Sequence, residues 1–312
     1  MDISILGAGS WASSLADVLI DNEHNVLLWH YKKNTKNNPN ITNSLECIQK
    51  RMVIFIALPS HAISNILERI NPKPEALIVV CSKGFDPKTK CRLSLIVEQK
   101  LAIKKNNIII LSGPSHAEEV SRKVPTAVVA ASSSLINAEY IQNIISNHYF
   151  RVYTSTDVIG IEIAAAAKNI IAIASGICIG LNYGDNTIAA LISRGLKEVI
   201  RLGKKFKAKE DTFYGLGGLG DLSVTAFSKH SRNRKFGINI VKYKNLNKAQ
   251  NEIKMIVEGI NATEIIYKLS KKYKINMPIV NQVYSILFEN KDAKSAINEL
   301  MNRKLIPEST NI

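Results

Sequence analysis

Apolar residues in the first half of the chain gather in short runs, separated by stretches where they recur every three or four positions. Ile3, Ile5 and Leu6 form the first run, followed by Val26–Trp29, Val53–Leu58, Leu77–Cys81, Ile108–Leu111 and Ala127–Ala131. Helical periodicity lies between them at Trp11–Asn22, His61–Ile70, Arg92–Ala102, Ala117–Val120 and Asn137–Ile145. Strands alternating with helices predict a mainly parallel sheet covered on both faces, a doubly wound α/β domain. After about Val152 the rhythm changes. Long apolar-periodic stretches run over Val158–Ile179, Ile188–Phe206, Lys248–Ile256, Ala262–Tyr273 and Ile279–Phe288, with a short one at Ala293–Leu300, and strand signals nearly vanish. The expectation is an α/β domain over residues 1–152 and an all-α domain over 153–312. A chain of 312 residues exceeds one ordinary core, which agrees with two domains.

The join between the first strand and the first helix reads Gly7-Ala8-Gly9-Ser10-Trp11-Ala12. A strand, a glycine turn and a helix make the first half of a βαβ unit, whose turn takes a pyrophosphate on the helix N-terminus. A plain strand-to-helix loop is the alternative. At the sixth motif position, Ala12 is small enough for helix and strand to pack closely. The α/β half is therefore expected to be Rossmann-type, with a dinucleotide as its guest. Which dinucleotide stays open. The end of the second strand, Trp29-His30-Tyr31-Lys32-Lys33, lacks the carboxylate that would hold a ribose 2′-hydroxyl. The two lysines would suit the 2′-phosphate of NADP, or they are simply solvated.

Composition narrows the classes. With 46% hydrophobic and 21% charged residues the chain is an ordinary globular protein. A net charge of +15 invites a nucleic-acid reading. The lysines are spread along the chain among abundant Ile and Asn, a compositional bias, so no nucleic-acid partner is expected. The remaining positive field favours small anionic substrates. Cys47, Cys81, Cys91 and Cys178 show neither zinc-site spacing nor disulfide density, and the histidines are scattered; a reducing cytoplasm and no metal are expected. The chain runs straight into a strand pattern, with no basic region followed by a long apolar stretch and a cleavage site, so export is not expected. No apolar run reaches the ~20 residues of a membrane span. Ile159–Leu181 comes nearest and is broken by Glu162, Lys168 and Asn169. Only Lys32–Asn43 is polar enough to suggest a mobile loop.

Ligands bind beyond the carboxyl ends of the strands of an open α/β sheet. Four segments qualify: the turn after Gly9, Ala57–His61, Cys81–Gly84 and Leu111–Ser115. Lys83 would bring an ammonium to that edge. Lys168 stands among alanines and isoleucines, where a charge is costly unless paired and where desolvation lowers a lysine pKa toward useful proton transfer. A structural ion pair with Glu162 or Asp221 is the bland alternative. In Tyr214–Leu222, four glycines precede Asp221, a pattern suited to close backbone approach more than to a helix interior. Asp221 could orient Lys168, accept from a substrate hydroxyl, or cap a helix. Lys229–Gly237 reads as an anion clamp around Arg232, or as a solvated basic turn. Together, a dinucleotide turn, a semi-buried lysine and a phosphate clamp describe reduction of a phosphorylated ketone. The rivals are a reductase of another small keto acid, a non-catalytic NAD(P)H sensor, and a nucleic-acid binder resting on charge alone.

These motifs, GAGSWASSLA, ALPSH, SKG, SGPSHAEE, IEIAAAAKN, GLGGLGDL, SRNRKFG and IVEG, occur in the order seen in bacterial NAD(P)-dependent glycerol-3-phosphate dehydrogenases, and the chain resembles that family from Ile3 to about Asn302. The resemblance implies reversible reduction of dihydroxyacetone phosphate to sn-glycerol 3-phosphate with NADH or NADPH, feeding glycerophospholipid synthesis. It implies that Lys168 is the proton donor and acceptor, that Lys83 touches substrate and nicotinamide, and that Asp221 lies near the substrate hydroxyls. Ser231, Arg232 and Asn233 match the phosphate-binding run, and Gly113 and Ser115 further substrate contacts. Cofactor contacts fall on Gly7, Gly9, Ser10, Trp11, Lys83, Ala117, Arg232, Ile256 and Glu258. Related enzymes are often dimers, which makes a homodimer the candidate assembly. The chain departs from the family at Ala12, at Ala164-Ala165 where a Gly-Gly pair is common, at His116 in place of an aromatic, and in a short segment between residues 32 and 51.

Overall fold

The computed structural model describes residues 1–32, 40–253 and 255–308. Lys33 and most of the polar segment after it lie outside the described residues. The first part of the chain runs β1 (Asp2–Leu6), α1 (Ser10–Asp21), β2 (Asn25–Trp29), β3 (Ile41–Thr42), α2 (Leu45–Gln49), β4 (Val53–Ile56), α3 (Ser60–Leu67), β5 (Leu77–Val80), α4 (Leu93–Leu101), β6 (Ile108–Ser112), α5 (Ala117–Val120), β7 (Thr126–Ala131), α6 (Leu135–Ile145) and β8 (Phe150–Ser155). The strands form one sheet in the order β3-β2-β1-β4-β5-β6-β7-β8. Every pairing is parallel except β6 with β7, which is antiparallel.

The central strands explain their own placement. In β4, Val-Ile-Phe-Ile is buried at every position, because a parallel strand covered on both faces needs an unbroken apolar run rather than an alternation. Helices α1 and α6 cover one face, packing Leu15, Leu19 and Ile141 on Ile3, Ile5 and Phe55. Helices α3 and α4 cover the other with Ile63, Leu67 and Ile96 on Leu6, Ile54 and Ile56. The strand order reverses between β1 and β4, so a crevice opens beyond their carboxyl ends. β3, α2 and β8 fall outside the expected elements; β8, Phe-Arg-Val-Tyr-Thr-Ser, alternates buried and exposed positions, as an edge strand does.

The rest is helical: α7 (Val158–Gly180), α8 (Asp185–Lys205), α9 (Asp211–Tyr214), a π-helical turn at Leu216–Gly220, α10 (Asp221–Phe227), α11 (Arg232–Tyr243), α12 (Leu246–Asn251), α13 (Glu258–Tyr273), α14 (Pro278–Phe288) and α15 (Ala293–Met301). Helix α7 is the axis. Asp157 caps it, accepting from the Gly160 amide at 2.9 Å. It is long and apolar enough to cross a membrane, but 89% of its most apolar window is buried under the other helices. Where α11 crosses α7 the backbones nearly touch: a Cβ on Gly176 would lie 2.0 Å from the Arg234 carbonyl oxygen, and one on Gly237 2.1 Å from that of Ile173.

Two sequence expectations are corrected. Three of the four glycines before Asp221, Gly217, Gly218 and Gly220, stand inside the π-helical turn that Gly215 precedes, and close approach persists there; a Cβ on Gly218 would lie 2.2 Å from the Phe213 carbonyl oxygen. Lys229–Gly237 is not a turn throughout, because its second part is the start of α11, capped by the Ser231 hydroxyl on the Arg234 amide at 3.2 Å.

Candidate active site

The glycine turn sits at the switch point. Gly7 has φ +128°, and a Cβ there would come 2.6 Å from the Ala57 carbonyl oxygen at the end of β4. A side chain would push the two strands apart. A Cβ on Gly9, by contrast, would meet nothing within 4 Å, and Gly9 leads into α1 with no side-chain cap among the described residues. The first amides of a full helix thus face open space beside a backbone that can be approached closely, which fits the pyrophosphate of a dinucleotide. Ser10 is exposed and Trp11 half-buried at this rim. Ser14, one turn on, donates to the Ala117 carbonyl at 3.0 Å and so ties α5 to α1.

Beyond the crevice lies the charged centre. Gly84, after β5, has φ +124°, and the turn it makes aims Lys83 across the sheet edge. Lys83 Nζ donates to Asp221 Oδ2 at 2.8 Å and to the Gly113 carbonyl at 3.0 Å. Gly113 has φ +145°, and a Cβ there would lie 2.9 Å from Val128 Cα, so this carbonyl is held by tight packing on β7. From α7, Lys168 Nζ donates to Asp221 Oδ1 at 2.5 Å and to Thr225 Oγ1 at 2.7 Å. Ser112 reaches Asp221 Oδ2 at 3.4 Å, and Ser115 donates to the Gly113 carbonyl at 3.0 Å. Lys168 is 6% exposed and Asp221 1%.

Of the two carboxylates weighed as partners for Lys168, Asp221 is the one used. Glu162 is instead held by Arg92 and by the amide and hydroxyl of Ser94 at 2.8 and 2.6 Å, joining α7 to α4. Asp221 occupies the first turn of α10 without capping it. Burial alone would raise its carboxyl, but the two ammonium charges outweigh that and hold it below the usual range. Burial pulls Lys168 down to about 7, against the opposing pull of Asp221 and with the help of the Lys83 charge. A lysine held there exchanges a proton at neutral pH.

The remaining residues divide. Arg232 is exposed at the start of α11, while Ser231 and Asn233 are buried. Asn233 bridges three helices, donating to Asn169 Oδ1 at 2.9 Å and accepting from the Gly259 amide at 3.0 Å. Ile256 is exposed before α13. Glu258 reaches back to the sheet, accepting from the Ser60 amide at 3.1 Å and its hydroxyl at 2.6 Å. Ala12, Ala164 and Ala165 are all buried. Sequence reasoning missed Thr225, Arg92 and Ser94; it placed Ser60 in a ligand-edge segment without seeing its bond to Glu258, and weighed Glu162 only as a partner for Lys168. Thr225 had a signal: it lies four residues after Asp221, on the same face once α10 is helical. Between α5 and the α10–α11 turn there is also a cavity of about 560 Å³, lined by Glu118, Arg122, Phe227 and His230 among others.

Comparison with known proteins agrees with this geometry. The N-terminal model of NAD-dependent glycerol-3-phosphate dehydrogenase matches residues 2–46 and 39–138, and the C-terminal model matches 157–298. Proteins named glycerol-3-phosphate dehydrogenase [NAD(P)+] from Fusobacterium nucleatum and Clostridium botulinum are 42% and 41% identical, covering 96% and 97% of this chain and the same shares of their own. The crystal structure of glycerol-3-phosphate dehydrogenase from Coxiella burnetii superposes with a TM-score of 0.88 at 35% identity, covering 97% of this chain and 99% of that one. With both halves matched in order and the same two-part architecture, this chain belongs to the NAD-dependent glycerol-3-phosphate dehydrogenase family.

Proposed function

We propose that the chain catalyses the reversible reduction of dihydroxyacetone phosphate to sn-glycerol 3-phosphate, with Lys168 as proton donor and acceptor. The observation that carries this reading is one buried carboxylate, Asp221, shared by two lysines from different parts of the fold at the mouth of the dinucleotide crevice. An ammonium has three N–H donors. Lys168 and Lys83 each commit two, so among the described residues each keeps one for a ligand. A carbonyl oxygen accepting both would be polarised by two fixed charges beside a buried carboxylate, where such charges act more strongly than in open solvent. As that oxygen becomes an alkoxide, Lys168 gives it a proton, and in the reverse direction the neutral amine removes it. Lys83 stays charged and orients the oxygen. Thr225 donates to the Asp221 backbone carbonyl at 2.6 Å, which leaves its lone pairs toward Lys168 and fixes the ammonium.

Reduced nicotinamide, NADH or NADPH, supplies the hydride when bound. Gly7, Gly9, Ser10, Trp11, Ala117, Ile256 and Glu258 are assigned to the cofactor. Gly113, Ser115, Ser231 and Asn233 are assigned to the substrate, and Arg232 to its phosphate and to the cofactor. Holding the phosphate aligns the reacting carbon, so this grip serves rate as well as affinity. The division into residues 1–152 and 153–312, whose boundary falls inside β8, belongs to the same reading, as do a cytoplasmic location, which the unpaired spacing of the cysteines favours, and a homodimer and supply of glycerophospholipid synthesis, which the family resemblance alone carries.

The test is loss of reduced-nicotinamide absorbance with dihydroxyacetone phosphate and each cofactor in turn. Lys168→Ala should lower turnover by the ~10²–10⁴ of a lost general acid. Near-parental turnover in that variant would refute the assignment.

A further inference from the structure

Lys83 follows β5 in the sheet part of the chain, yet the residues beside it rest on the helical part. Phe85 is buried in the helical core, whose other buried members run from Ile163 to Leu287. Its carbonyl accepts from Asn261 Nδ2 on α13 at 3.4 Å. Gly84, between Lys83 and Phe85, lies against Glu258, the first residue of α13: a Cβ on Gly84 would come 3.3 Å from Glu258 Oε2 and 3.7 Å from Ser60 Cβ. Glu258 and Asn261 are three residues apart and so share one face of the first turn of α13. Pro59 precedes α3 and offers its amides no side-chain oxygen, so the Glu258 carboxylate serves as the cap, taking the amide and the hydroxyl of Ser60. At the far end of the same loop, Arg92 forms a bridge with Phe85 and reaches Glu162 on α7.

We infer that the first turn of α13 is the seat of the Lys83 turn, and that Ser60, Phe85 and Asn261 are positioning residues, acting on the reaction by fixing where the Lys83 ammonium stands. The inference rests on the part given to Lys83 in the reaction. Lys83 commits donors to Asp221 and to the Gly113 carbonyl, and its remaining donor must meet a substrate oxygen. Such a contact needs the backbone at Lys83 held closely, since a misplacement of ~1 Å can cost about a hundredfold in rate. A lysine stem is too flexible to supply that constraint alone. The sheet fixes the chain before Lys83 through β5, but Gly84, with φ +124°, is a residue with little conformational restraint of its own. The constraint after Lys83 therefore comes from tertiary contact: the Phe85 ring in the helical core, its carbonyl on Asn261, and the carboxylate that Ser60 holds beside Gly84. Without the Ser60 hydroxyl, Glu258 Oε2 loses its donor at 2.6 Å and is free to turn away from Gly84.

The experiment measures kcat for reduction of dihydroxyacetone phosphate in Ser60→Ala, Ser60→Thr and Asn261→Ala, each alone and each combined with Lys83→Met. Reduced nicotinamide is kept saturating, so that a change in cofactor affinity through Glu258 does not enter. Alone, Ser60→Ala and Asn261→Ala should each lower kcat by about tenfold, within the ~10²-fold that a misplaced group can cost. Ser60→Thr keeps the hydroxyl and should recover most of that loss. Once Lys83→Met has removed the ammonium, the same substitutions should change kcat by less than about twofold, because residues acting through one group are not additive. Parental kcat in both single variants overturns the inference, and so do losses of equal size with and without Lys83, which a purely structural role would give. Parental kcat in Lys83→Met would instead overturn the part of Lys83 in the reaction, and the seat with it, so that one variant tells the two failures apart. If a thermal melt shows that Ser60→Ala does not fold, Asn261→Ala and Phe85→Leu carry the same comparison.

Discussion

Replacing Asp221 with Asn tests whether the two lysines work because one carboxylate holds them. The carboxylate lies 2.5 Å from Lys168 Nζ and 2.8 Å from Lys83 Nζ. At an effective dielectric of ~20, each attraction is worth about 6 kcal/mol before desolvation is counted. Breaking a buried pair by removing one partner costs ~3–5 kcal/mol net, since an uncompensated charge is left behind. Taking the lower figure, ~3 kcal/mol against the charged form corresponds to about two pH units. Lys168, already brought to about 7 by burial, would then be mostly neutral at neutral pH. Its protonated fraction, and with it the rate of ketone reduction near pH 7, should fall by about 10². Initial rates of reduced-nicotinamide loss between about pH 5.5 and 9 measure this, compared as a quotient with the parent so that the substrate's titration cancels. The alkaline decline of the reduction should move to lower pH in Asp221→Asn. A folded variant, verified by its thermal melt, whose decline stays within half a pH unit of the parent's would refute the reasoning.

The direction of catalysis should select opposite limbs of pH. Reduction needs Lys168 protonated and should decline as pH rises through about 7, whereas oxidation of glycerol 3-phosphate needs it neutral and should decline as pH falls through about 7, both read from initial rates. Gly7→Ala should lower the unfolding temperature and abolish NAD(P)H binding by calorimetry, because φ +128° costs an L-residue ~1–3 kcal/mol and the methyl would strike the Ala57 carbonyl. Away from the site, Glu198 accepts from the Ile279 and Val280 amides at 2.6 and 3.1 Å, and burial raises its carboxyl to about 7. A folded pKa above the unfolded 4.5 gives stability that is present below 4.5 and lost as pH rises through about 7. Glu198→Gln should therefore melt higher relative to the parent at pH 8 than at pH 5, and an equal difference at both would contradict it.

Elements with a strong period were legible in the sequence, and those made by tertiary contact were not. β4 and α7 announce themselves because every position, or nearly every one, must be apolar where both faces are covered. β3 and α2 are too short to show a period, and β8 was hidden by the change of rhythm near Val152. The start of α11 was obscured because its first residues are Arg-Asn-Arg-Lys; the helix is stabilised by the Ser231 cap and by Phe236, Gly237 and Ile240 against α7 rather than by an early apolar stripe. At the site, the identity of each charged residue could be read from its neighbours, as with Lys168 among alanines. The choice of Asp221 over Glu162 as its partner could not, since it depends on how α4 and α10 pack against α7.

That dependence reaches the chemistry. Lys83 comes from the sheet and Lys168 and Asp221 from the helices, so the cluster exists only while the two parts are in register. Polar clasps hold that register, among them Arg92 and Ser94 on Glu162, Ser60 on Glu258, and Lys83 on Asp221 itself. The first two occupy their carboxylates with other donors, so that among the described residues Asp221 is the carboxylate that meets both ammonium groups. A second carboxylate at the centre would raise Lys168 back toward its ordinary range and end its usefulness at neutral pH. The proton affinity of Lys168 is thus set less by α7 than by which acidic residues the interface keeps occupied and which one it delivers.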